Sequence, residues 1–186
     1  MKILLKITIA ITLFFIGNMQ LMAQNNITIE GSGNLITKTV LTKTYDHISV
    51  RGSMEVSLEK GKEGTIQVSA EDNLQEHIIV ESDGATLTIS MKKNISLRNT
   101  QKIKITVPFE VLSQLSMIGS GEIEGKDIIK NDLLRISLQG SGEIGLNIET
   151  RVLTAELNGS GEMEIFGKTK HSDIKTTGSG EFQGTI

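Results

Sequence analysis

Apolar and polar residues alternate along most of this chain. Runs such as Leu134-Arg135-Ile136-Ser137-Leu138 and Ile144-Gly145-Leu146-Asn147-Ile148 have the period of two expected of a half-buried strand. Such runs flank a phrase found four times: Gly119-Ser120-Gly121-Glu122, Gly140-Ser141-Gly142-Glu143, Gly159-Ser160-Gly161-Glu162 and Gly178-Ser179-Gly180-Glu181. The spacings are 21, 19 and 19 residues. Two glycines around a serine suit a tight corner, because glycine takes positive φ without strain. One repeat therefore predicts strand, corner, strand, second corner. A fixed period near twenty predicts stacked repeats.

Alignment on the first glycine gives apolar columns at every other position. Two residues before it stand Met117, Leu138, Leu157 and Thr176; four before stand Leu115, Ile136, Ala155 and Ile174. Four after stand Ile123, Ile144, Met163 and Phe182; six after stand Gly125, Leu146, Ile165 and Gly184. A hairpin meander alternates too, but equivalent corners at this period favour an all-β parallel solenoid with one coil of about 19–21 residues per repeat. Each column then becomes an internal stack of like side chains, at the usual strand spacing of about 4.8 Å.

Ahead of the regular repeats the pattern is looser. Residues 24–44 are polar and β-prone, with one weakened corner phrase at Gly31-Ser32-Gly33-Asn34, and predict an extended lead-in paired loosely with the body. Regular alternation begins at Tyr45, giving a domain over 45–186. Arg51-Gly52-Ser53 is a second degenerate corner. Glu71 to His77 predicts one helical turn, and Ser82-Asp83-Gly84 a hairpin or corner between two strands. Lys92 to Gln101 is basic and irregular, and Lys102 to Val107 is a strand ended by Pro108. The last repeat stops at Ile186 with no polar cap in view, which predicts a partner, a swapped copy (self-association through the uncapped coil), a tolerated open edge or a truncated sequence.

Composition changes the picture in two places. Lys2 and Lys6, the apolar run Ile7 to Ile16 and the small residue in Leu21-Met22-Ala23 predict a signal peptide over residues 1–23, hence export to periplasm, outer-membrane surface or medium, with no membrane span after cleavage. The sequence contains no cysteine, which excludes disulfides, thiol chemistry and a lipid-modified cysteine. A net charge of −3 gives no argument for nucleic acid.

The Gly-Ser-Gly-Glu repeats, Gly31-Ser32-Gly33-Asn34, Ala70-Glu71-Asp72-Asn73-Leu74, Asp83-Gly84-Ala85-Thr86-Leu87-Thr88-Ile89 and Ile95-Ser96-Leu97-Arg98 together resemble the putative auto-transporter adhesin, head GIN domain family, over roughly residues 29–186. The resemblance implies exported proteins, common in Bacteroidetes, with a right-handed parallel β-helix-like body. It implies no catalytic residues.

Candidate chemistry lies in the repeated columns. Glu122, Glu143, Glu162 and Glu181 are expected to stack on one outer edge, either as a calcium ladder with corner carbonyls or as a solvated charged edge that discourages aggregation. Ser120, Ser141, Ser160 and Ser179 are expected to bond backbone groups inside the corners, with sugar recognition as the alternative. His47, His77 and His171 have no metal-ligand spacing. Lys92, Lys93, Arg98, Lys102 and Lys104 form either a solvated basic stretch or a contact for acidic glycan. No outward set of residues converges as an enzyme of the β-helix type needs. The expected function is non-enzymatic and free of cofactors: an envelope binding or adhesion module for a glycan or protein. A periplasmic structural role is the alternative, and a polysaccharide-acting enzyme comes third.

Overall fold

The computed structural model describes residues 27–98 and 101–186. The signal-peptide reading and the first residues of the lead-in fall outside them. The strands are β1 (Ile27–Glu30), β2 (Leu35–Leu41), β3 (His47–Gly52), β4 (Glu55–Lys60), β5 (Thr65–Glu71), β6 (Ile78–Asp83), β7 (Thr86–Met91) and β8 (Ile95–Arg98). They continue with β9 (Lys104–Phe109), β10 (Gln114–Gly119), β11 (Glu122–Gly125), β12 (Ile129–Gly140), β13 (Glu143–Gly159), β14 (Glu162–Lys168), β15 (His171–Gly178) and β16 (Glu181–Thr185). A 3-10 turn, Gln75–His77, is the helical turn expected there. The protein is all-β.

Parallel pairing makes two ladders. The first, ahead of the corners, runs β7–β3–β10–β12–β13–β15. The second, after the corners, runs β9–β4–β11–β13–β14–β16. β13 passes from one ladder to the other without a break. The corner glycines Gly52, Gly119, Gly140, Gly159 and Gly178 pair in one column. The degenerate corner at Gly52 thus belongs to the same register as the four regular ones.

Gly140 illustrates why the column is glycine. Its φ is 126°, a conformation that L side chains rarely adopt. A Cβ there would also run into the carbonyl oxygen of Gly119 behind it. The second corner glycine meets the same obstruction, since Gly142 lies against Gly121 and Met117. The Gly52 corner carries Met54 at the second position, and Met54 is buried.

The expected inward columns form the core. Leu87, Ile48, Leu115, Ile136 and Ala155 pair in turn and are at most 1% exposed. Ile89, Val50, Met117, Leu138 and Leu157 pair in turn beside them, as do Ile105, Val56, Ile123, Ile144 and Met163 in the second ladder, and all are buried. Each buried aliphatic contributes about 1.5–3 kcal/mol. The 21-residue spacing is absorbed locally. Four residues, 125–128, stand between the pairs Glu124–Gly145 and Ile129–Ile148, where the next repeat has two, 146 and 147.

Three features depart from the expectation. First, spatial order is not chain order: β3 sits between β7 and β10, and β4 between β9 and β11. The repeat at residues 47–60 is therefore covered on one side by β7 and β9. Second, this end of the stack is finished by antiparallel strands, β6 on β7, and β5 on β9 with β2 outside it. β6 and β7 are the hairpin expected around Ser82-Asp83-Gly84. Third, residues 92–101 are not wholly irregular, because β8 pairs in parallel with β1.

The lead-in pairs firmly. β2 matches β5 over seven residues. Its corner then locks onto the loop after β5. Gly33 N–H donates to Glu71 Oε1 at 2.8 Å, Ser32 N–H to Asn73 Oδ1 at 3.0 Å and Asn34 Nδ2 to Asp72 Oδ2 at 3.0 Å. The Ser32 hydroxyl also bonds Asp72. Glu71 is fully buried, and a Cβ on Gly31 would overlap its carboxyl group. The nearby Gln75 side chain donates to Val68 and Ile36 carbonyls, each at 3.0 Å, which satisfies a buried amide over the end of the core.

Candidate functional site

The outward positions of the second ladder hold the strongest concentration of charge. Strand alternation sends Ile123, Ile144 and Met163 inward, so the residue before each must face out. Glu122, Glu143, Glu162 and Glu181 pair in register across β11, β13, β14 and β16. Glu55 of β4 extends the column by one, and its contribution was hidden because Met54 breaks the repeated phrase. A second outward column runs Ser57, Glu124, Gly145, Glu164 and Gln183. Gly145 has no side chain, which leaves a hollow of about 270 Å³ edged by Glu122, Glu124, Glu143, Glu162 and Glu164.

Like charges one strand apart repel, and the ladder's ends are compensated. Lys102 Nζ pairs with Glu55, and Lys104 Nζ lies 3.8 Å from the same carboxylate. The hydrogen bond that Lys102 donates to Glu55 is the main cause of an upward shift in the Lys102 pKa, with the charges of Glu55, Glu122 and Glu143 adding to it. At the other end the Gln183 amide donates to Glu162 and Glu181, each at 3.2 Å. Lys126 pairs with Glu124. Sequence alone places Lys102 in a basic stretch and at the start of a strand, with no partner for its charge. Its pairing depends on β9 lying beside β4, which no local signal announces.

Among the described residues, no group of three or more His, Asp or Glu side chains is placed to hold a metal ion. The carboxylates make a line along the stack and do not converge. The serine column stands at exposed corners, and its bonds are made by the main chain: Ser141 N–H donates to Gly119 O at 3.0 Å and Ser160 N–H to Gly140 O at 2.9 Å. The glutamate amides do the same one turn on, Glu143 N–H to Gly121 O at 3.0 Å.

Two other surface regions bear on function. The outward face of the first ladder is polar and regular, with Gln114, Arg135, Thr154 and Asp173 in one column and Ser116, Ser137, Glu156 and Lys175 in the next. Beyond the second ladder, Lys130, Glu149 and Lys168 pair in register, with Lys130 Nζ 2.8 Å from Glu149. That bond is the main cause of a lowered Glu149 pKa. Of the aromatic residues, Tyr45 and Phe109 are core. The Tyr45 hydroxyl donates to Pro108 O, and burial, assisted by Glu63, raises its pKa. Phe166 is 44% exposed.

Fold and surface together define an all-β protein of stacked, in-register repeats with charged outward columns. The chain belongs to the family described as "Putative auto-transporter adhesin, head GIN domain", whose model matches residues 44–185. That description is of an adhesin and not of an enzyme. Among solved structures, the chain is similar to a putative lipid binding protein from Parabacteroides distasonis, at 19% identity and a TM-score of 0.61, over 86% of this chain and 100% of that one. It is similar to a putative adhesin from Parabacteroides distasonis, at 19% identity and a TM-score of 0.66, over 84% of this chain and 75% of that one. A putative adhesin from Bacteroides fragilis matches at 19% identity and a TM-score of 0.54, over 84% of this chain and 100% of that one. At these identities the likeness is one of fold. No curated protein sequence matches the chain. No helix among the described residues is long and apolar enough to cross a membrane.

Proposed function

We propose that this chain is a non-enzymatic adhesion module of a bacterial envelope, exported by a leader at residues 1–23. Residues 24–44 lead into a domain at 45–186. Its two ladders wind as a right-handed parallel β-helix and present their outward columns to a glycan or protein. The single observation that carries this reading is the register of the outward face of the first ladder. Gln114, Arg135, Thr154 and Asp173 repeat hydrogen-bonding groups at the strand spacing, about 4.8 Å. A flat, polar, periodic face suits a ligand that is itself extended, because many weak contacts on one chain add together. The inward columns are filled by their own side chains, which argues against a lipid held inside. The glutamate column acts on this reading as a charged edge of the same surface.

The test is accessibility. Intact cells treated with protease, beside lysed cells, are expected to lose the protein, and the purified protein is then expected to bind members of a glycan and matrix-protein array. Protection in intact cells with loss in lysate would end the adhesin reading and leave a periplasmic structural role.

A further inference from the structure

The outward face of the second ladder changes character along β14. Its outward residues run Glu162, Glu164, Phe166 and Lys168. Gly167 stands in the inward column beside Ile148, so Phe166 and Lys168 on either side of it both point outward. Phe166 lies between two paired strands, with Asn147 of β13 on one side and Thr185 of β16 on the other. Its ring is still 44% exposed. That exposure belongs to the flank of the stack, where strand pairing leaves outward side chains uncovered.

Beyond Phe166 the charge is unbalanced. Lys130, Arg151, Lys168 and Lys170 surround a shallow hollow of about 520 Å³, against two carboxylates, Asp132 and Glu149. One cation is already engaged, because Lys130 Nζ lies 2.8 Å from Glu149. Among the described residues Arg151, Lys168 and Lys170 make no ion pair. Lys170 N–H donates to Arg151 O at 3.2 Å, so those two side chains leave adjacent segments of the stack. Lys168 follows Phe166 by two residues on one strand, about 7 Å along it. The hydroxyls between the cations are committed: Thr150 Oγ1 donates to Thr169 Oγ1 at 3.2 Å, and Thr169 Oγ1 to His171 O at 3.0 Å. That leaves the three cations, and the exposed Asn147 amide beside the ring, to meet a ligand.

A bare anion uses the cations and not the ring. An acidic peptide also uses the cations and offers the ring no flat face of its own. A sugar bearing a carboxylate or a sulfate ester has all the parts: a C–H face for the ring, hydroxyls for the amide, and an anion at its edge for the guanidinium and ammonium groups. We propose that the flank formed by Asn147, Phe166, Arg151, Lys168 and Lys170 binds an acidic polysaccharide, with one sugar on Phe166 and its anions against the three cations. Glu162 and Glu164, on the other side of Phe166, repel an anion and fix the direction in which the polymer leaves the ring. The site lies on a different face from the one used above, so it adds a second site and a ligand class to the adhesin reading.

The test is binding in solution, by biolayer interferometry on protein expressed from the full-length reading frame, in calcium-free buffer. The surfaces carry polygalacturonate, dextran sulfate, polyglutamate or neutral dextran. The protein is expected to bind polygalacturonate or dextran sulfate, which separates carboxylate from sulfate as the anion, and to leave neutral dextran unbound. Polyglutamate lacks the sugar face and is expected to bind about fivefold more weakly. Phe166→Ala is expected to weaken polysaccharide binding about fivefold, and Phe166→Tyr to retain it. Arg151→Ala and Lys170→Ala are each expected to weaken it about fivefold. Both side chains are exposed and unpaired, so these variants report on the site even where Phe166→Ala lowers the melting temperature. Lys43→Ala removes the same charge from the lead-in and is expected to bind as wild type. The proposal is overturned by no binding to either acidic polysaccharide, by polyglutamate binding as tightly as both, or by a loss at Lys43→Ala equal to that at Arg151→Ala. Binding here by a protein that is protected from protease in intact cells would end the adhesin reading and leave this site. An accessible protein that binds neither acidic polysaccharide would do the reverse.

Discussion

The middle of the stack and its last repeat carry the same columns in different surroundings. Leu138 and Thr176 occupy one column, and so do Ile136 and Ile174. Leu138 and Ile136 are fully buried, whereas Ile174 and Thr176 are exposed. No repeat buries its own inward side chains; each is buried by the repeats on both sides. The difference between a core position and a surface position here is the number of neighbouring repeats, not the residue's place within its own. The same logic explains the corner phrase. Glycine is demanded where a repeat lies behind the corner, and Met54 is accepted where the regular stack begins.

The largest test of this comparison is a pair of aspartates in one column. Leu138→Asp places a charge between two repeats and is expected to cost about 4 kcal/mol or more, with loss of the folded circular dichroism signal. Thr176→Asp is expected to stay within about 0.5 kcal/mol of wild type. Equal melting temperatures for the two would remove the argument from neighbours.

Glycine substitutions come next. Gly140→Ala combines positive φ with a blocked Cβ and is expected to destabilise by about 3 kcal/mol in chemical denaturation. Gly33 also has positive φ, at 78°, but nothing lies within 4 Å of its Cβ direction. Gly33→Ala is expected to cost about 1 kcal/mol. A similar cost at both sites would mean that φ alone explains the corners and that stacking adds nothing.

A smaller effect concerns the lead-in lock. Hydrogen bonds from Ser32, and then from Asn34, hold the Asp72 pKa below its ordinary 3.8. A carboxyl group with a depressed folded pKa stabilises above its unfolded value and loses that contribution as pH falls through the folded one. The lock is therefore expected to loosen only below pH 3.8, seen as faster amide exchange at Ser32 and Gly33. Asp72→Asn should show that faster exchange at neutral pH, and unchanged exchange in both experiments would mean the lock does not depend on this carboxylate. The smallest expected effect is on the glutamate ladder. Millimolar calcium is expected to leave the melting temperature unchanged, and a rise abolished by Glu143→Gln would make the ladder a cation site.

Much of the fold could be read from the chain because the repeats are local and identical in kind. The period placed Gly119, Gly140, Gly159 and Gly178 in one column, and the alternation placed Leu138 and Ile144 inside. What the sequence hid is long-range. Nothing near Arg51-Gly52-Ser53-Met54 signals that β7 and β9 will stack on it, because either neighbour satisfies the same exposed strand edges. The lock between Gly31–Asn34 and Glu71–Asn73 joins residues about forty apart through single polar contacts, which leave no periodic trace. The glutamate column was legible, but Glu55 and Lys102 were not, because their places depend on that same unsignalled stacking.

The in-register corners also bear on how such a gene changes length. Each corner touches the corner behind it through the same backbone atoms, whatever its position in the series. Duplication or deletion of one 19-residue unit therefore leaves every remaining join intact, and the extra residues at 125–128 mark where an imperfect exchange is tolerated without moving the columns. Gain or loss of a whole repeat would change the length of the stack and leave the columns in register.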